Sequence, residues 1–157
     1  MAAYPTPRSI SELDAAYIAG LIDGEGTITL SRKHRNEYRQ LAVSISNTER
    51  VLLEYVLQTV GAGKITRKRI SHSHHTPSYT YAIYNRQALH VLEQLQPYLK
   101  GYKARRSALI LRDYVALVPR NGKYSEEQLR NRTLFENAVL SITPKPGLGE
   151  AGEPEMP

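Results

Sequence analysis

The 157-residue chain contains no cysteine, no tryptophan and a single phenylalanine. The lack of cysteine excludes disulfides and thiolate metal sites and leaves the redox compartment open. No apolar run approaches the roughly 18–20 residues of a membrane span, so no membrane partner is expected. The opening MAAYPTPRS has no charged segment followed by an apolar core. That argues against a secretory signal and for an intracellular protein, in the cytoplasm or an organelle.

What is present is charge of one sign. Lysine and arginine total 21 against 15 acidic residues, a net charge of +6, and the pI is near 9.6. The final stretch, residues 145–157, is acidic apart from Lys145, so the folded part is more basic than the average. Positive charge of this size favours polyanions, of which nucleic acid is the commonest. The 11 tyrosines join an apolar ring to a polar tip, which suits a solvated or nucleic-acid-facing surface. Hydrophobic residues make up 41 % of the chain, enough for one domain with its own core.

The stretch SELDAAYIAGLIDGEG, residues 11–26, organises the rest. Ser9 and Ser11 each have an acid three residues on (Glu12, Asp14), the capping-box pattern that starts a helix. Leu13, Tyr17 and Leu21 share one helical face; Ala16, Gly20 and Asp23 share another. The small residues Ala15, Ala16, Ala19 and Gly20 let a second backbone come close. The helix is predicted to end near Asp23, because Gly24 and Gly26 tolerate positive φ. Two carboxylates, Asp23 and Glu25, then stand at its foot.

Downstream, TITLSRKHRNEYRQLAVSISN alternates apolar and polar positions on both sides of residues 35–37, the pattern of a β-hairpin. A helix over 50–60 ends at Gly61-Ala62-Gly63. A second hairpin pairs KITRKRIS with YTYAIYN across SHSHHTPS. Helices are predicted over 87–95, 103–118 and 125–141, followed by a Pro- and Gly-rich end expected to be disordered. The plan is an arm over 1–10, a core over 11–118, a helix within 119–142 and a tail over 143–157. The order α-β-β-α-β-β-α-α-α makes an α+β fold, one antiparallel sheet with helices on one side. Its open face carries Thr29, Ser31, Lys33, Gln40, Ser44, Lys64, Thr66 and Lys68. Such a face reads base edges while Lys and Arg hold phosphates. The alternative is the ordinary solvated side of an antiparallel sheet.

The string Ile18-Ala19-Gly20-Leu21-Ile22-Asp23-Gly24-Glu25-Gly26 resembles the defining motif of the LAGLIDADG homing endonucleases. It departs by Ile at the first position and by Gly-Glu for Ala-Asp before the final Gly. The order α-β-β-α-β-β-α resembles that family's core, so the resemblance covers residues 11–118. It implies a site-specific endonuclease that hydrolyses double-stranded DNA with divalent cations, Mg2+ or alternatively Mn2+ or Ca2+. A single copy of the motif implies a homodimer acting on a long pseudo-palindromic site. Ala16, Ala19 and Gly20 would lie at the contact between the two motif helices, and the two strands would be cut across the minor groove.

By position in the motif, Glu25 looks like the family's metal-binding acid, with the Gly24 carbonyl as a second ligand. Asp23 looks like a structural helix-end residue. Carboxylate and carbonyl oxygens are what Mg2+ binds. Two such acids side by side raise each other's pKa, and bound cations relieve the repulsion. Asn47 stands where similar enzymes keep a polar group near the attacking water; it equally fits an N-cap for the next helix. Arg50 is expected to face the scissile phosphate. Lys103 resembles a basic residue kept near the family's active centre, where it stabilises charge; the other reading is a phosphate contact. Arg105 and Arg106 read as DNA-backbone contacts or as solvated. His72, His74 and His75 have no acid or cysteine nearby, so a turn flanking DNA fits them better than zinc.

Two functions compete with a nuclease on this fold: an RNA maturase, and a DNA-binding regulator that does not cut. The acid at position 25 favours the nuclease, since a pure binder has no need of it. An unrelated basic enzyme would instead be a monomer. No splicing sequences flank the core, which fits a free-standing or intron-encoded enzyme.

Overall fold

A computed structural model of the chain describes residues 4–68, 76–118 and 123–145. Helix α1 (Glu12–Glu25) begins where the Ser11 side chain accepts a hydrogen bond from the Asp14 N–H at 3.2 Å, pairing one of the free donors of a helix start. The helix runs two residues past the expected stop. Gly26 has φ −102°, and neither Gly24 nor Gly26 takes a positive φ, so no left-handed turn ends it. Gly26 is required for space: a Cβ there would lie 2.6 Å from Ile22 Cα and 3.0 Å from the Ser44 carbonyl oxygen. The chain passes from helix straight into strand β1 (Gly26–Ser31), so Glu25 stands at the junction.

Strands β1, β2 (Gln40–Asn47), β3 (Lys64–Arg67) and β4 (Tyr79–Tyr84) form one antiparallel sheet in the order β1-β2-β4-β3. Helix α2 (Arg50–Val60) links β2 to β3 and ends on left-handed Gly61, φ 74°. After β4 come α3 (Asn85–Leu95), a 3-10 turn, α4 (Tyr102–Leu117) and α5 (Glu126–Ser141). Strand β3 is half the length expected of KITRKRIS, and His72, His74 and His75 lie outside the described residues.

Register sorts the sheet into two faces. The rows Leu30·Leu41, Ile28·Val43·Ile83 and Ile45·Tyr81·Ile65 point to the helices. There they join Ile18, Ile22, Leu53, Val56, Leu92 and Ile110 in one core, each large aliphatic side chain contributing about 1.5–3 kcal/mol by leaving water. The rows Thr27·Ser44·Ala82·Lys64, Thr29·Ala42·Tyr84 and Ser46·Thr80·Thr66 point away.

Helix α1 also has two sides. Ala15, Ile18, Ala19 and Ile22 are buried, while Leu13 (86 % exposed), Ala16, Tyr17 (50 % exposed) and Gly20 are open. The two stripes expected on separate faces thus merge into one exposed apolar face. Ala19 does not belong to it: it is 0 % exposed, packed in its own chain's core. The guanidinium of Arg106 donates to the carbonyls of Ile142 at 2.8 Å and Ile28 at 3.0 Å. It therefore ties α5 to the sheet instead of standing ready for DNA or solvent. Among the described residues no helix is long and apolar enough to cross a membrane.

Candidate functional site

The C-terminal end of α1 collects most of the chemistry. Glu25, exposed, is the last residue of the helix, and Asn47 is the last residue of β2. Asn47 Nδ2 donates to Glu25 Oε2. The Asn47 Oδ1 accepts from the Glu49 N–H at 2.8 Å. One amide therefore braces the turn into α2 and fixes the carboxylate. The N-cap position expected of Asn47 falls on Glu49, whose side chain makes no capping bond.

Asp23 does different work. Its carboxylate accepts from the Lys100 and Gly101 N–H groups at 2.8 and 3.2 Å, pinning the turn before α4 to the foot of α1. Lys103, only 8 % exposed, reaches the same foot from α4. Its Nζ donates to the carbonyls of Ile22 at 2.7 Å and Asp23 at 3.1 Å. A cation there meets the negative end of the helix dipole and pairs carbonyls that the helix leaves free. Burial pushes the Lys103 pKa down, Asp23 opposing and Arg106 reinforcing that shift.

Arg50 is exposed at the start of α2. It is held by Glu54 at 2.9 Å and lies 5.2 Å from the centre of the Tyr79 ring. Tyr79 is the cross-strand partner of Asn47, so Arg50 stands at the same end of the sheet. Gly24 is exposed in the last turn of α1, and a Cβ at either Gly24 or Gly20 would meet nothing within 4 Å. Among the described residues, nothing explains why these two positions lack a side chain.

On the outer sheet face, Thr29, Ser31, Gln40, Ser44, Lys64 and Thr66 share one side. Lys33 lies past the end of β1, in the loop to β2, and Lys68 lies one residue past β3, its N–H donating to the Ser78 carbonyl at 2.9 Å. The face also holds Ser46 and Thr80, whose hydroxyls pair at 2.8 Å, and Tyr84, half exposed. Strict period-two counting from Ser44 and from Ala82 would have added all three. Among the described residues, no three His, Asp or Glu side chains gather closely enough to hold a metal.

The family model of the LAGLIDADG-like domain matches residues 12–96, more than half of the chain. The chain belongs to the LAGLIDADG family. Solved structures with the same fold include the homing endonuclease I-CvuI in complex with its target in the presence of 2 mM Ca, at TM-score 0.69 and 21 % identity over 84 % of this chain and 83 % of that one. The archaeal intron-encoded homing endonuclease I-Vdi141I complexed with DNA matches at TM-score 0.66 and 18 % identity, over 87 % of each chain. The LAGLIDADG meganuclease I-AabMI bound to uncleaved DNA matches at TM-score 0.58 and 24 % identity, over 78 % of this chain and 43 % of that one. No curated protein matches the chain.

Proposed function

We propose that two copies of this chain form a metal-dependent homing endonuclease that cuts both strands of a long pseudo-palindromic DNA site. One observation carries this reading. Helix α1 delivers an exposed, amide-held carboxylate, Glu25, beside an apolar helix face that none of the described residues covers. Packing that face on its two-fold mate uses Ala16 and Gly20 for close approach and brings two Glu25 residues together. The absence of a three-ligand cluster among the described residues agrees with a site shared between copies. The fold fills 43 % of I-AabMI, room for two such units in that chain. Two-fold symmetry in the protein requires approximate two-fold symmetry in the DNA site.

Glu25 and the Gly24 carbonyl offer hard oxygens of the kind Mg2+, Mn2+ or Ca2+ takes, and these residues would hold the cation. A bound cation supplies charge stabilisation for displacement at phosphorus. Asn47 keeps the carboxylate in one orientation. Lys103 neutralises the helix end on which Glu25 sits and adds positive potential near the developing charge. Arg50 lies where a phosphate would pass the sheet's end. The outer face, with Thr29, Ser31, Gln40, Ser44, Thr66 and the cations Lys33, Lys64 and Lys68, lies on the DNA. I-CvuI has been seen with DNA in Ca and in Mg, which supports the choice of cation, and the intron-encoded I-Vdi141I supports the reading of this chain as intron-encoded.

The test is incubation with a duplex DNA library and Mg2+, for the wild type and for Glu25→Gln. The wild type should cut; the variant should bind the selected site without cutting. Binding by both proteins with cutting by neither would make the chain a regulator, and selective binding of RNA would make it a maturase.

A further inference from the structure

Helix α5 holds one residue of the β1–β2 loop by both of its backbone groups. The Arg39 N–H donates to Glu136 Oε1 at 2.8 Å, and the Arg39 carbonyl accepts from Arg132 Nη2 at 2.8 Å. Glu136 and Arg132 thus do for Arg39 what a neighbouring strand would do. Arg132 is 4 % exposed, with its guanidinium 4.5 Å from the centre of the Tyr38 ring and 5.3 Å from that of Tyr124. Its Nη1 also donates to the Tyr124 hydroxyl. A buried arginine needs partners for its charge and its donors: here Nη1 and Nη2 go to Tyr124 and the loop, Glu136 lies 3.9 Å from Nε, and Nε has no hydrogen-bond partner among the described residues. The same edge is fastened twice more: the Leu30 carbonyl accepts from Arg39 Nη1 at 3.3 Å, and the Ile28 carbonyl from Arg106. Strand β1 ends the sheet, so these bonds cover a free edge.

The loop so clamped is cationic. Residues 32–39 include Arg32, Lys33, His34, Arg35 and Arg39, and Arg32, Lys33 and Arg35 are exposed. It lies past the far end of β1 from Glu25, roughly 23 Å away at about 3.3 Å per residue, or about seven base pairs along a duplex. We propose that Arg132 and Glu136 are positioning residues that fix this basic loop against the outer phosphates of the DNA site. Helix α5 thereby sets affinity and the recognition of outer base pairs without taking part in cutting. This rests on the DNA-endonuclease reading above.

The experiment uses the full chain and, in Ca2+, a labelled duplex library and the site selected from it, with affinity measured over a salt series for wild type, Arg132→Met, Glu136→Ala, Lys33→Ala/Arg35→Ala and the combinations. Loosening the clamp should weaken binding about 10-fold and flatten the salt slope by about one to two, the loss of one or two phosphate contacts. Glu136→Ala is the sharper variant, because it removes a negative charge and would strengthen binding if only overall charge mattered. The loop and clamp substitutions should be non-additive: once the clamp is broken, removing Lys33 and Arg35 should have little further effect. For Arg132→Met and Glu136→Ala, cutting of fully bound DNA in Mg2+ should keep its rate within about two-fold, a split that damage to the active site would not give. Additive effects, or tighter binding by Glu136→Ala, would overturn the proposal, and should Arg132→Met not fold, Glu136→Ala decides alone. Failure of the wild type to bind the duplex at any salt would overturn the DNA reading itself and the clamp's role with it.

Discussion

On one side of α1, the chain's own strands and helices bury Ala15, Ile18, Ala19 and Ile22; on the other, Leu13, Ala16, Tyr17 and Gly20 meet solvent. Small residues occur on both sides, for different reasons. Ala19 is small because its own core leaves no room for more. Gly20 is small although its own chain leaves open space around it. A helix glycine loses about 1 kcal/mol relative to alanine, a loss that no contact among the described residues offsets. The open side is the one that the proposed pairing of two copies would use, and the buried side is not.

The comparison breaks or sharpens most strongly with one large side chain placed on each face. Gly20→Leu should leave the fold intact, since no atom stands in the way, yet abolish self-association and cut DNA cleavage by at least about 100-fold, the size of losing one well-placed catalytic group. Sedimentation and a cleavage assay on the same sample read both. A Gly20→Leu protein that stayed dimeric and cut normally would sink the account of the open face. Ala19→Leu, one position away, should do the reverse at the level of the fold. Overpacking a closed core destabilises by about 1–3 kcal/mol, visible as a lower urea midpoint. Unchanged stability would mean that Ala19 is not locked into the core.

The sequence made the elements legible because their signals are local. Ser11 before Asp14, the alternation of Leu41, Val43 and Ile45, and the start of the last helix at Ser125 each set a start or a face within a few residues. The Glu25 and Asn47 positions were legible through the motif and through the end of a strand. What was not legible depends on contacts far apart in the chain. Ala19 and Gly20 look alike on a helical wheel until the sheet shows which side it covers. The positions of Lys33 and Lys68 beyond their strands depend on where pairing stops, and alternation does not mark that. The clamp on Arg39 joins residues 93 and 97 positions apart, and only the i, i+4 spacing of Arg132 and Glu136 hints at it. Arg106 read as a DNA-backbone contact or as solvated for the same reason: the carbonyls that hold it belong to Ile28, Leu140 and Ile142.

The smallest expected effect lies where the two sides of α1 meet α2. Tyr55 donates to Asp14 and sets its ring edge-on to Tyr17, centroids 5.4 Å apart. Burial, and then the bond to Asp14, push the Tyr55 pKa from 10.0 up to about 12. The native state therefore keeps this proton to higher pH than the unfolded chain does. The stability it contributes is whole below about pH 10 and is lost as the pH rises toward about 12. Tyr55→Phe should lower stability near neutral pH by about 1 kcal/mol, one hydrogen bond, and make the alkaline decline shallower. Tyr81 and Tyr114, whose pKa values burial also raises, keep the decline from vanishing. Urea unfolding of both proteins across that range reads the difference. The ring contact to Tyr17 survives the substitution, so self-association at neutral pH should not move. If it weakened while the urea midpoint held, the Tyr55 hydroxyl would belong to the contact between copies, and the boundary between the two sides of α1 would have to be drawn through α2.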